Sequence, residues 1–232
     1  MFERLAVDRG AILFDPERVQ APDWRLFDRD HWRARGALTA QPGGRGSIHF
    51  IDDGARHWVL RRYLRGGLAA SVARDRYLFL GEDRTRPFLE LRLLGRLCAL
   101  ALPVPVPVAA GYRRGRLTYA AELVTERLPG TQSLAEALRR GCMDGAHWQA
   151  VGRCLRRFHD AGVQHADLNA HNVLLDGDGQ IWVVDFDRGR MREPGPWRER
   201  VLDRLARSLA KVSGGSIAWR DGFAELRAAH DT

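Results

Sequence analysis

Residues 147 to 187 constrain this 232-residue chain more than any other stretch. The helical spacing of 147–161 stops at Gly162, a residue that ends helices without steric cost. A polar loop follows and carries Asp167 and, five residues later, Asn172. Two short apolar segments, 172–175 and 181–184, flank Gly177-Asp178-Gly179 and read as a β-hairpin. Asp185-Phe186-Asp187 comes directly after the second of them, so the hairpin brings Asp185 back beside the loop. A carboxylate and an amide oxygen placed together suit Mg²⁺, a hard ion that shares its shell with substrate phosphates. A second carboxylate, free of metal, can accept a proton from an attacking hydroxyl. The order H-x-D-x-x-x-x-N, then D-F, carries what phosphoryl transfer from ATP requires.

The remainder of the chain divides by period. Pro42-Gly43-Gly44-Arg45-Gly46-Ser47 is a glycine-rich turn leading into a short strand at 48–51. Asp52-Asp53-Gly54 turns the chain into a second strand at 58–63. Residues 86–100 have helical spacing, with Leu89, Leu93, Leu97 and Leu100 on one stripe. Residues 117–124 alternate like a strand, and 125–130 are rich in breakers. After that the pattern is mostly helical, at 133–140, 147–161 and 197–212. The expectation is an α+β protein of two lobes: strand-rich 1–124, a hinge at 125–130 and helical 131–232. The longest apolar run, Leu97 to Ala110, is broken by Pro103, Pro105 and Pro107, so no membrane-spanning helix is expected. The N-terminus lacks the apolar stretch of a secretory signal. Cys98, Cys142 and Cys154 have no CxxC spacing, which fits a reducing cytosol rather than a disulfide or zinc framework.

The loop and hairpin resemble those of the protein-kinase-like superfamily. The resemblance implies a nucleotide clamp in the first half. Gly43, Gly44 and Gly46 stand where a phosphate-covering loop belongs, and Glu126 on the connector falls among the nucleotide-binding residues. Where the superfamily has V-A-x-K, this chain has Trp58-Val59-Leu60-Arg61, so Arg61 takes the lysine position. Strand alternation turns Arg62 to the opposite face. Glu90 is the expected ion-pair partner of Arg61. Ala166 replaces the arginine of H-R-D, which argues against control by activation-loop phosphorylation. Asp187 replaces the glycine of D-F-G and restricts the backbone there. In this scheme Asp167 is the base, and Asn172 and Asp185 hold Mg²⁺.

A narrower resemblance is to the bacterial lipopolysaccharide core kinase family, in its branch acting on 3-deoxy-D-manno-octulosonic acid (Kdo). It rests on Leu60-Arg61-Arg62-Tyr63-Leu64-Arg65-Gly66-Gly67-Leu68, on 167–176 and on Asp185-Phe186-Asp187-Arg188-Gly189. The resemblance implies transfer of the ATP γ-phosphate to the 4-hydroxyl of Kdo on Kdo-lipid A. It also implies a peripheral protein on the cytoplasmic face of the inner membrane. The net charge of +8 and pI near 10.3 suit an anionic acceptor and an anionic membrane surface. Arg188, Arg190 and Arg192 are the candidate acceptor contacts. Arg200, Arg204, Arg207 and Lys211 form a basic face on the 197–212 helix, and Val201, Leu205, Leu209 and Val212 an apolar one. His165 and His171 read as loop-packing residues. Other readings are a heptose kinase, an aminoglycoside-phosphotransferase-type kinase, or a non-catalytic pseudokinase, which the missing lysine favours. No nucleic-acid motif accompanies the charge, so no nucleic-acid partner is expected. Nothing in the sequence speaks to oligomeric state.

Overall fold

The computed structural model describes residues 1–40, 48–63 and 77–232. They fall into two compact units. One is Met1–Gly95 with Val106–Arg127, the other Arg96–Pro105 with Leu128–Thr232. Strands dominate the first unit and helices the second, as expected of an α+β chain.

The first unit contains β1 (Glu3–Val7), β2 (Gly10–Phe14), α1 (Arg29–Ala34), β3 (Leu38–Ala40), β4 (Ile48–Asp52), β5 (His57–Arg62) and β6 (Tyr77–Leu78). Helix α2 (Arg86–Ala99) follows, its residues from Arg96 onward counted with the second unit, then β7 (Pro107–Arg114) and β8 (Thr118–Glu126). Among the described residues these strands form one antiparallel sheet in the order β1-β2-β7-β8-β5-β4-β3, with β6 also on β8. Alternation on β5 buries Trp58 and Leu60 in a core with Ile12, Phe14, Trp32 and Ile51. Val59 and Arg61 are therefore left on the other face. Strand β7 has no such alternation: it is buried from Pro107 to Tyr112, between β2 and β8. Strand β8 runs through Glu126, further than the breaker-rich composition of 125–130 suggests. Thr125 is buried there, and the Glu126 N–H donates to the Val106 carbonyl at 2.8 Å.

The buried stripe of α2 differs from the expected one. Leu89 and Leu100 are exposed, whereas Phe88, Leu91, Leu94 and Leu97 are buried together with Glu90. Of the four leucines of the expected stripe only Leu97 is buried and Leu93 is half-buried, because the first turn of the helix directs Pro87 and Phe88 inward and rotates the buried face away from Leu89 and Leu100. Phe88 meets the Tyr112 ring edge-on at 5.4 Å.

The second unit contains β9 (Gln132–Ser133), α3 (Leu134–Arg139), α4 (Gly145–Asp160), β10 (Val163–Gln164), β11 (Val173–Leu175), β12 (Ile181–Val183), β13 (Arg190–Met191), α5 (Trp197–Val212) and α6 (Trp219–Asp231). Asp144 caps α4 by accepting from the His147 N–H at 2.9 Å. Gly162 ends it with φ +74, and a Cβ there would lie 2.6 Å from the Arg192 carbonyl oxygen. The β11–β12 hairpin pairs Val173 with Val183 and Leu175 with Ile181. Helix α5 buries Val201, Leu205 and Leu209 of its expected stripe, leaves Val212 half-buried, and adds Trp197 and Leu202. Helix α6 lies on α4 at very short range. A Cβ on Gly152 would be 2.2 Å from the Leu226 carbonyl oxygen, so only glycine fits. Among the described residues no helix is long and apolar enough to cross a membrane.

Candidate active site

The first unit supplies a buried ionic cluster. Glu90, on the inward face of α2, is only 3% exposed. Its Oε2 accepts from the Arg61 Nη2 and from the Tyr63 hydroxyl. Arg61 also donates to the Tyr63 oxygen at 3.1 Å and lies over its ring, 4.7 Å from the centroid. A buried carboxylate requires such partners, since leaving it unpaired would cost several kcal/mol. Arg62, on the other face of β5, lies 3.7 Å from Glu122. Tyr63 was not among the residues singled out from the sequence. The signal was available, because it lies two residues beyond Arg61 and therefore on the same side of the extended chain.

Glu126 is engaged differently from a free ligand. Its carboxylate accepts from Arg18 Nε at 2.9 Å, and Arg18 is held in turn by Asp15 at 2.7 Å. Gly43, Gly44 and Gly46 lie outside the described residues, as does the Leu64–Leu68 part of the arginine- and glycine-rich segment.

The second unit supplies the loop after α4. His165 is buried and organises it. Its Nε2 donates to the Val184 carbonyl at 3.0 Å, while its Nδ1 accepts from the Asp167 N–H at 3.1 Å. Burial holds the imidazole below the usual histidine range, so it stays neutral and can make both contacts. The Asp167 carbonyl accepts from the Asn169 and Asn172 side-chain amides at 2.9 and 3.0 Å. The Val184 N–H donates to the Asn172 carbonyl at 3.0 Å. Thus Val184 is tied to both ends of the loop, and Asp185, the next residue, is brought beside Asn172. Asp185 adopts φ +65, a conformation unusual for a residue with a side chain. Phe186 is buried behind it, stacked on Phe158 at 5.7 Å and against His165 at 4.8 Å.

The Asp167 carboxylate faces solvent, and one guanidinium reaches it. Arg204 on α5 donates from Nε to Oδ1 at 2.7 Å and also from Nη2 to the same oxygen. Arg204 was expected only as part of a basic helix face. No sequence signal links residues 37 positions apart. His171 is exposed, not a packing residue, and its N–H donates to Asn169 Oδ1 at 2.9 Å. Of the acceptor candidates, Arg192 donates to Gln164 at 3.1 Å. Arg188 (φ +61) and Arg190 are exposed.

The donor set fits Mg²⁺. Asn172 spends its Nδ2 on the Asp167 carbonyl, which turns its Oδ1 away from that bond, and Asp185 follows at the strand end. Among the described residues no cluster of three or more His, Cys, Asp or Glu is placed to hold a metal. Two protein oxygens completed by phosphate and water are the usual arrangement for this ion.

A strand-rich unit with a buried Arg–Glu pair, followed by a helical unit with this loop and hairpin, defines a protein-kinase-like α+β fold. Comparison with known proteins narrows the class. The sequence model of the lipopolysaccharide kinase (Kdo/WaaP) family matches residues 29–224, and the chain belongs to that family. It is 50% identical to the 3-deoxy-D-manno-octulosonic acid kinase of Stenotrophomonas maltophilia (strain K279a) over 226 residues, 96% of this chain and 90% of that one. It is 52% identical to the enzyme of the same name from Xanthomonas axonopodis pv. citri (strain 306) over 206 residues, covering 88% and 82%. The Xylella fastidiosa (strain 9a5c) protein of that name is 47% identical over 226 residues, again 96% and 90%.

Proposed function

We propose that this kinase transfers the γ-phosphoryl group of ATP to the 4-hydroxyl of Kdo on Kdo-lipid A. The observation that carries the reading is the Asp167 loop. Its backbone is held at both the N–H and the carbonyl while the carboxylate stays exposed to an incoming hydroxyl. Such fixed placement is what a phosphoryl-transfer base requires. The names of the relatives supply the acceptor.

In this mechanism Asp167 accepts the proton of the acceptor hydroxyl as its oxygen forms a bond to the γ-phosphorus. The bond from that phosphorus to the bridging oxygen breaks, and ADP leaves with the electron pair. Asn172 and Asp185 would hold Mg²⁺, which, when bound, neutralises phosphate charge. Arg61, fixed by Glu90 and Tyr63, holds phosphate oxygens in place of the usual lysine. A planar guanidinium can serve Glu90 and a phosphate through separate N–H groups. Arg188 and Arg190 are acceptor contacts. The acceptor is a lipid, so the protein works as a peripheral protein at the cytoplasmic face of the inner membrane. The charge of +8 favours that anionic surface.

The test is mass spectrometry of Kdo-lipid A incubated with protein, ATP and Mg²⁺, beside a heptosylated acceptor. The reading requires one added phosphate on Kdo, lost in Asp167→Asn with MgATP binding retained. Phosphate on heptose alone would move the assignment to the heptose kinases. No transfer despite MgATP binding would make the chain a non-catalytic binder.

A further inference from the structure

We propose that Arg204 is the acceptor-specificity residue: it reads the carboxylate of the sugar whose hydroxyl is phosphorylated. This deepens the proposed kinase reading and rests on it. The Arg204 guanidinium contacts Asp167, and its Nε and Nη2 bonds both go to a single oxygen, Oδ1. Oδ2 is left to receive the hydroxyl proton. A guanidinium has five N–H donors in a planar fork. Nε and one Nη2 hydrogen serve Asp167, so the Nη1 side of the fork can grip a second anion. Arg204 is about half exposed, 48%, and Asp167 54%, so an acceptor can reach both.

The position of the guanidinium is set by the fold rather than by the ion pair alone. One turn further along α5, Ser208 Oγ accepts from the Ala170 N–H at 3.0 Å, so the helix grips the same loop at a second point. An anion on the open edge of the guanidinium would stand roughly 5–7 Å from the Asp167 carboxylate, two hydrogen bonds and the width of the fork away. The hydroxyl at Oδ2 and an anion at Nη1 must therefore belong to groups only a few ångströms apart. A carboxylate and a hydroxyl on one sugar ring satisfy that spacing. A phosphate elsewhere on a glycolipid is separated from the reacting hydroxyl by further rings. Arg204 would thus use one charge for two tasks, fixing the base and selecting an acidic sugar over a neutral one.

The experiment compares Kdo-lipid A with its carboxyl methyl ester and with a lipid A-dephosphorylated acceptor. The proteins are the wild type, Arg204→Gln and Arg204→Lys. For the wild type, esterification should lower kcat/KM by about 10- to 100-fold, the worth of a charge-assisted bidentate contact. Dephosphorylation should change it much less. Arg204→Gln should treat acid and ester alike, within about threefold, while its MgATP affinity matches the wild type. Arg204→Lys should keep part of the discrimination, since a charge without the fork remains. Equal use of acid and ester by the wild type would overturn the role of Arg204 and leave the kinase reading standing. So would persistence of the full discrimination in Arg204→Gln. A larger loss on dephosphorylation than on esterification would assign the guanidinium to lipid phosphate instead. If the wild type phosphorylates no Kdo acceptor, the kinase reading itself fails and this inference with it.

Discussion

Lowering the pH from about 7.5 to about 5 should destabilise this protein through His159, and the size of the effect follows from its surroundings. His159 is 2% exposed at the end of α4. Its Nδ1 lies 2.8 Å from His230 Nε2 on α6, and the far nitrogen of His230 lies 2.9 Å from Asp231 Oδ1. Trp197 meets the ring edge-on at 5.1 Å. Only one proton fits between two nitrogens so close. Burial first, then the charges of His230 and Arg198, push the His159 imidazole down to about 3. An unfolded histidine titrates near 6.5. The unfolded chain therefore binds a proton that the folded chain refuses between about 6.5 and about 3. This contribution is fully present above about 6.5 and is lost as the pH falls through that window. Each unit costs about 1.4 kcal/mol, so at pH ~5 the loss is about 2 kcal/mol. Urea unfolding of the wild type and His159→Gln at several pH values measures it. His165 is also held neutral by burial and adds a slope of the same sign, so the quantity to follow is the difference between the two proteins. The stability advantage of the wild type over His159→Gln should shrink by about 2 kcal/mol over ~1.5 units. A difference that stays constant from about pH 6.5 to about pH 5 would refute the reasoning.

Arg61→Ala should lower kcat/KM by roughly 30- to 1000-fold, about 2–4 kcal/mol, with Arg61→Lys recovering only part and Arg62→Ala costing far less in steady-state kinetics. Tyr63→Phe removes one donor to buried Glu90 and should cost about 1 kcal/mol of stability in urea unfolding. Gly152→Ala places a methyl 2.2 Å from the Leu226 carbonyl and 3.1 Å from the Ala229 Cβ, so α6 must shift. An overpacking cost of about 1–3 kcal/mol outweighs the helix-propensity gain of up to ~1 kcal/mol, and thermal unfolding should show a lower Tm. Protein made without other kinases should be active at once, since Ala166 stands where kinases controlled by a phosphorylated loop have the arginine of H-R-D; a large gain on treatment with an exogenous protein kinase would contradict this.

Local pattern alone determined a large part of this protein. Period and punctuation placed α4, the β11–β12 hairpin and α5 within a residue or two, because each is defined by neighbours in sequence and ended by glycine, proline or a capping acid. The spacing of His165, Asp167, Asn172 and Asp185 was readable for the same reason: the loop and hairpin that order them form one short continuous segment. Tertiary structure decided the rest. The inward face of α2 follows what its helix meets, so Glu90 and Phe88 are buried while Leu89 and Leu100 are not, although hydrophobicity alone would put both leucines inside before Glu90. Helix α6 has few buried side chains, Leu226 and His230 among them, and it is held instead by close approach at Gly152 and Gly222, which no periodicity reveals. The Arg204–Asp167 pair joins a helix to a loop across 37 residues. In a chain with 37 Lys and Arg residues, only folding selects which cation stands beside that carboxylate, because the choice is made by the distance between elements and not by the residues themselves.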